Sequence, residues 1–246
     1  MDKIEVTILN PPAISEAEQT MVCAARLTQK GHTIQNMADF MELYNKDYTE
    51  ATVKNMVALP HPAIQKFALI NVVIVGASRR FLAQITRHQN EVKFMSASLQ
   101  YSNYSSSARY VIPYDILGTE KESGYLAQCE ASMQKYMDLV TAGVNNDDAG
   151  YIVPHGLRNI ILISATPYQW KHMIHQRICR RNTPETRYVM LLIWRALYRE
   201  NKALFSDCGA FCMQGNCKEG KMSCGRSITL KTPDGILAED FPKICR

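Results

Sequence analysis

The apolar pattern begins with Val6 to Leu9, a short β-prone run halted by Asn10-Pro11-Pro12. Ser15-Glu16-Ala17-Glu18 has the spacing of a capping box, which predicts a helix running to Gly31, a good C-terminal stop. Ala68 to Val75 is dense in β-branched residues and predicts a buried strand that Gly76 breaks. Ser78 to Gln89 then has helical spacing. So does Ser123 to Gly143, which is stopped by Gly143 and the polar run from Asn145 to Asp148. Asn159 to Ser164 is apolar, and Pro167 opens a further helical pattern. Pro184 to Phe205 predicts the longest helix, with Val189, Met190, Ile193, Leu197 and Leu204 on or near one face. Beyond that, periodicity fades, so residues 206–246 read as a cysteine-rich extension to a main domain of residues 1–205. Interleaved helices and strands predict an α/β (α+β) class.

Composition narrows this picture. With 246 residues, 46% of them hydrophobic and 21% charged, the chain has the make-up of a globular domain. A chain of this size buries roughly 70–75% of its unfolded surface and builds its own core. No run of eighteen apolar residues exists, and the first residues lack the apolar centre of a signal peptide. A cytoplasmic protein without a membrane segment is therefore expected. The net charge of +5 favours anionic partners only weakly, and no long Lys/Arg block asks for nucleic acid. Eight cysteines in this setting read as reduced thiols or metal ligands rather than disulfides.

Three clusters carry candidate chemistry. In the first, Gln84, Arg87, His88 and Gln89 close a helical pattern that runs into the Ser-rich loop Ser96-Ala97-Ser98-Leu99-Gln100-Tyr101-Ser102. A cation beside hydroxyl and backbone donors grips a phosphate or a pyrimidine edge, although plain helix capping uses the same residues. In the second, Arg177, Arg180, Arg181 and Arg187 gather four guanidinium groups in eleven residues. Glu185 can balance one of them; the others need an anion or a solvated face. In the third, Cys208, Cys212, Cys217 and Cys224 could hold a tetrahedral zinc, but they lack the usual C-x-x-C spacing, which favours packing thiols and no metal. His172 and His175 lie one helical turn apart and read as packing or capping. No nucleophile elbow, P-loop or dinucleotide fingerprint is present.

Taken in order, these segments resemble the flavin-dependent thymidylate synthase family. Cys23-Ala-Ala-Arg26-Leu-Thr28 looks like the family's Ala-Ala-Arg helix, and Gly76-Ala-Ser78-Arg79 like its Gly-Val-Ser-Arg. Gln84-x-x-Arg87-His88, then Ser98 and Tyr101, resembles its Arg-His-Arg and serine motif. Arg177-Ile-Cys-Arg-Arg181 with Glu185-Thr-Arg187 resembles its later arginine motif, and Glu219 to Arg226 a C-terminal signature of some members. The resemblance implies a mixed sheet with flanking helices, in a catalytic domain that binds FAD where the subunits of a homotetramer meet. It also implies methylation of dUMP at C5, with methylenetetrahydrofolate and NADPH as co-substrates. Arg177, the cation that polarises the base, and Ser98 become the candidate catalytic residues. Gln84, Arg87, Ala97, Ser98, Leu99, Gln100 and Arg177 match nucleotide contacts. Thr28, His61, Arg87, His88, Gln89, Asn90, Ser96, Thr166, His172 and Arg181 fall at or beside cofactor contacts.

The departures are specific. Gln89 replaces the last arginine of Arg-His-Arg, and the spacing to Ser98 is one residue longer. Gln100 and Gly150 stand where two nucleotide-binding arginines are expected, Lys66 where a glutamate is, and Asn182-Thr183-Pro184 where Ala-Gln-Trp is. Ser107-Ala-Arg109-Tyr110 is a literal Ser-x-Arg-Tyr nine residues late, which could return a cation or be ordinary loop. These changes keep two alternatives open: a flavoenzyme with another pyrimidine substrate or a hydroxymethyl product, and a non-catalytic relative.

Overall fold

The computed structural model describes Met1, residues 3–104 and residues 108–245. Its elements run β1 (Glu5–Ile8), α1 (Pro12–Lys30), α2 (Met37–Asn45), α3 (Glu50–Val57), β2 (Ile70–Ser78) and α4 (Arg79–Ile85). Then come β3 (Val92–Ser96), α5 (Lys121–Thr141), α6 (Asn146–Ala149), β4 (Arg158–Ala165) and α7 (Pro167–Arg177). The last are α8 (Pro184–Glu200), α9 (Lys202–Phe205) and α10 (Pro233–Asp240). Strand order in the sheet is β1-β2-β4-β3. The α+β class with flanking helices is as expected, but every described pairing is antiparallel, where the resemblance implies a mixed sheet.

Register explains the core. Val6, Ile74, Ile161 and Ser96 share one row across the sheet, and Ile8, Val72, Ile163 and Phe94 the next. Because side chains alternate faces, these rows point inward, and Val72, Ile74, Ile161 and Ile163 are fully buried. Against them lies α8, whose run from Thr186 to Trp194 is buried throughout. On the opposite face Val75, Ile160, Leu162 and Met95 are apolar yet exposed, Met95 to 71%.

Gly76 does not break β2. It forms a bulge between Val75 and Ala77 at φ +87°, where a Cβ would lie 2.7 Å from the Lys3 carbonyl oxygen. The Ser15 capping box is also unused, because α1 already starts at Pro12, where proline fits the first turn. The predicted long helix splits at Asn201, whose side chain caps α9. The tail is not featureless: Ile228, Ile236, Leu237 and Phe241 enter the main core, and α10 packs on α8.

Candidate functional site

Two helix starts are tied together before any site residue is placed. Ser78 caps α4, and its N–H and hydroxyl both donate to the Glu185 carboxylate in the first turn of α8, at 2.7 and 2.6 Å. Burial pushes the Glu185 carboxyl up, against the pull of Ser78. Further along α4, Gln84 Oε1 accepts from the hydroxyls of Thr183 and Thr186. That leaves the Gln84 amide N–H group without a protein acceptor among the described residues, and fixes the α4 end beside the start of α8.

Arg177 occupies the gap between those ends. Its Nε donates to His88 Nε2 at 2.8 Å, one Nη to the Gln84 carbonyl at 3.0 Å, and the other to Asn182 Oδ1 at 3.5 Å. All three acceptors are neutral. His88 is buried, and burial, then Arg177, His172 and Arg87, depress its pKa to about 4. An imidazole that accepts on Nε2 carries its proton on Nδ1. Burial and the nearby Arg87 also lower the Arg177 pKa, the mark of a crowded positive site.

The other three arginines of that segment are balanced. Arg180 pairs with Asp240 at 2.7 Å and with Glu239, Arg187 with Asp240, and Arg181 with Glu219. Glu185 balances none of them, since it serves Ser78. The solvated-face reading thus fails for Arg180 and Arg187, which clamp the tail. It fails differently for Arg177, which has no carboxylate partner among the described residues.

A cavity of about 560 Å³ opens over this centre. Arg87, His88, Gln89 and Asn90 line it from beyond α4, and Gln169, His172, Gln176 and Arg177 from α7. No carboxylate is among them. Such a set, rich in donors and without an anion, suits ligands bearing carbonyls or phosphates, flavin and pyrimidine nucleotide included. A model for the family described as thymidylate synthase complementing protein matches residues 12–200. The chain belongs to that family. It is 26% identical over 218 residues to the flavin-dependent thymidylate synthase of Geobacter sulfurreducens, across 88% of this chain and 92% of that one. It is 22% identical over 237 residues to the enzyme of the same name from Clostridium tetani, across 87% and 91%. A UMP/dUMP methylase, PolB of Streptomyces cacaoi with 5-bromo-dUMP, superposes with a TM-score of 0.63 at 13% identity, covering 82% of this chain and 93% of that one. Thymidylate synthase X of Helicobacter pylori with FAD and dUMP gives 0.62 at 16% identity, covering 83% and 98%. At those identities the likeness is one of fold.

For a member of this family, the remaining expected residues divide into groups. Thr166 caps α7 and reaches Glu91 at 3.4 Å, and Glu91 pairs with Lys66 at 2.8 Å. Thr28 is exposed on α1, its hydroxyl donating to the Ala25 carbonyl, and exposed His61 precedes a turn packed on α1. Arg181 lines a second cavity together with the tail. Ser96 and Leu99 line a third, beside Arg79 and Gly150. Ala97 accepts there from Arg79, Ser98 Oγ accepts from the Gln100 N–H, and Gln100 itself is exposed. Within one chain, therefore, Ser98 and Arg177 are not brought into one cavity. Ser107 lies outside the described residues; Arg109 is exposed, and its guanidinium donates to the Ala108 carbonyl. His175 is a packing residue, bonded to the Gly209 carbonyl and stacked on Phe211, whereas His172 faces the cavity. The tail cysteines form no group that could hold a metal among the described residues: Cys208 is buried, and Cys212 Sγ accepts from the Ile228 N–H. Gln169 is a cavity residue that the motifs do not single out, though Gln169, His172 and Gln176 form a polar stripe at helical spacing that announces it.

Proposed function

We propose that the protein is a flavin-dependent methyltransferase that converts dUMP to dTMP, drawing the one-carbon unit from methylenetetrahydrofolate and reducing equivalents from NADPH. The observation that carries this reading is Arg177: a partly buried cation held only by neutral acceptors, with a neutral histidine fixing its plane. A uracil made nucleophilic at C5 develops negative charge on its carbonyl oxygens, and a preorganised cation in a site of low polarity stabilises that charge. Arg177 can do so without first giving up a carboxylate. Arg87, beside it, adds a second positive charge for the nucleotide.

His88, Gln89, Asn90 and His172, with Arg87, are the residues that would hold the flavin, and Thr166 orders the turn beside them. A bound flavin supplies hydride transfer between NADPH and the one-carbon unit. Neutral His88 leaves the charge of Arg177 to the substrate and keeps its own Nε2 occupied as an acceptor. Thr28, His61, Ser96 and Arg181 remain proposed cofactor contacts, and Ser98 with Ala97, Leu99 and Gln100 proposed nucleotide contacts. Their separation from Arg177 within the chain supports a homotetramer whose sites are completed by neighbouring copies. The exposed apolar face of Val75, Ile160, Leu162 and Met95 supports association too. Residues 206–246 are proposed as an extension that fastens onto the catalytic domain.

One observation favours a second reading, another pyrimidine nucleotide as substrate. At Gly150, where a nucleotide-binding arginine is expected, a Cβ would meet Leu99 at 3.2 Å, so this position packs rather than binds. With Gln100 in place of a second arginine, two charge-assisted contacts of roughly 1.5–3 kcal/mol each are gone. Mass spectrometry of dUMP, dCMP and UMP after anaerobic incubation with FAD, NADPH and methylenetetrahydrofolate separates the readings. A 14 Da gain (a methyl for a hydrogen, about one CH₂) on dUMP supports the first, a gain on another nucleotide the second, and none on any overturns both.

A further inference from the structure

A cavity of about 760 Å³ adjoins the candidate site and shares Arg87, Gln176 and Arg177 with it. Its far wall is the tail, beyond residues 12–200 that the family model matches. Six cations line it, and Glu219 is its one carboxylate. Glu219 is engaged by Arg181, and Arg180 by Asp240 and Glu239. Arg87, Arg177, Lys218 and Arg226 remain, with no carboxylate partner among the described residues.

The tail cations are held in place by contacts that leave their charge uncancelled. Lys218 Nζ sits 4.6 Å from the centre of the Phe211 ring. Arg226 donates to the Arg180 carbonyl at 3.3 Å, and Arg180 donates back to the Arg226 and Ser227 carbonyls at 3.4 and 3.2 Å. Arg180 is anchored in turn on Asp240. Gathering four uncompensated cations around one void is unfavourable unless an anion enters it. A phosphate, with its two charges and three terminal oxygens, matches that demand better than a single carboxylate does.

We propose that Lys218 and Arg226 form a phosphate-binding subsite for the nucleotide whose base lies at Arg177. This rests on the proposed function for the base, and deepens it by assigning the phosphate to the tail. It gives the extension a role in substrate specificity: the segment from 218 to 226 brings cations to a site whose Gln100 and Gly150 positions supply none.

The test is calorimetric titration of the full-length, FAD-loaded protein with dUMP, deoxyuridine and inorganic phosphate, for wild type and Lys218→Gln/Arg226→Gln. Both residues are exposed, so the substitutions leave the core intact; thermal unfolding checks this, and Arg226→Lys keeps the charge. We expect wild type to prefer dUMP over deoxyuridine by at least about 100-fold, and the double variant by only a few-fold, with deoxyuridine binding unchanged. Arg226→Lys alone should retain most of the preference. An unchanged dUMP preference in the double variant overturns the subsite while leaving the proposed function standing. Phosphate binding that needs Lys218 and Arg226, in a protein that does not take dUMP, upholds the anion site and overturns the assignment of the base. A wild type that binds neither dUMP nor phosphate overturns both.

Discussion

Acid should expose the state of His88. Its pKa is depressed from 6.5 to about 4, with burial the largest cause and Arg177 the next. Between those values the unfolded chain binds a proton that the folded chain refuses. The stabilisation is therefore complete above pH 6.5 and is lost as pH falls towards 4. At pH 4.5 the loss from this one group comes to about 2.5 kcal/mol. It follows from about 1.4 kcal/mol for each pH unit below 6.5, less a small correction for the fraction already protonated in the fold. Urea unfolding of wild type and His88→Gln at pH 7 and pH 4.5 isolates it, because carboxylates and the other histidines contribute to both proteins. Wild type should lose about 2.5 kcal/mol more than the variant over that interval. Equal losses, or a His88 ring that titrates near 6.5 by NMR in the folded protein, would refute the depressed His88 pKa and with it an imidazole held as the acceptor of Arg177 in acid.

Arg177→Ala should lower turnover by about 10²–10³-fold, the usual loss for one electrostatic donor, with little change in thermal midpoint because no ion pair is broken. Steady-state kinetics and calorimetry check both halves; near-normal turnover would remove Arg177 from the chemistry. Gln100→Arg should leave turnover at limiting nucleotide unchanged or raise it, and a large loss would mean that Gln100 makes its own substrate contact. Gly76→Ala should destabilise the fold by about 1–3 kcal/mol in chemical denaturation, since alanine resists φ +87° and its Cβ would strike the Lys3 carbonyl.

Much of the sheet and of α7 is legible in the sequence because runs such as Ile70 to Val75 carry their own signal. The strand β3 is not, since Val92 to Ser96 alternates only weakly and takes its identity from pairing with β4. Short α2 and α3 escape the apolar pattern, although Asn36 with Asp39 and Thr49 with Thr52 supply their caps. Gly76 shows how a residue that punctuates a local pattern can serve a tertiary contact. The arginine cluster is visible in the chain, but its partners are not: Asp240, Glu239 and Glu219 lie thirty-eight to sixty residues away, so only the folded chain separates Arg177 from its neighbours. Likewise the tail reads as cysteine-rich, while its use lies in Arg226, Lys218 and the apolar residues that dock it.

Formation of a methyl group at C5 of the pyrimidine expels the hydrogen already there. The most direct measurement is therefore release of tritium to water from dUMP labelled at C5, by the FAD-loaded protein with NADPH and methylenetetrahydrofolate, counted beside the dTMP formed. One tritium released per dTMP in wild type, with both lowered by about 10²–10³-fold in Arg177→Ala, is the expected result. No release, or release that proceeds unchanged without Arg177, would contradict C5 methylation driven by that residue.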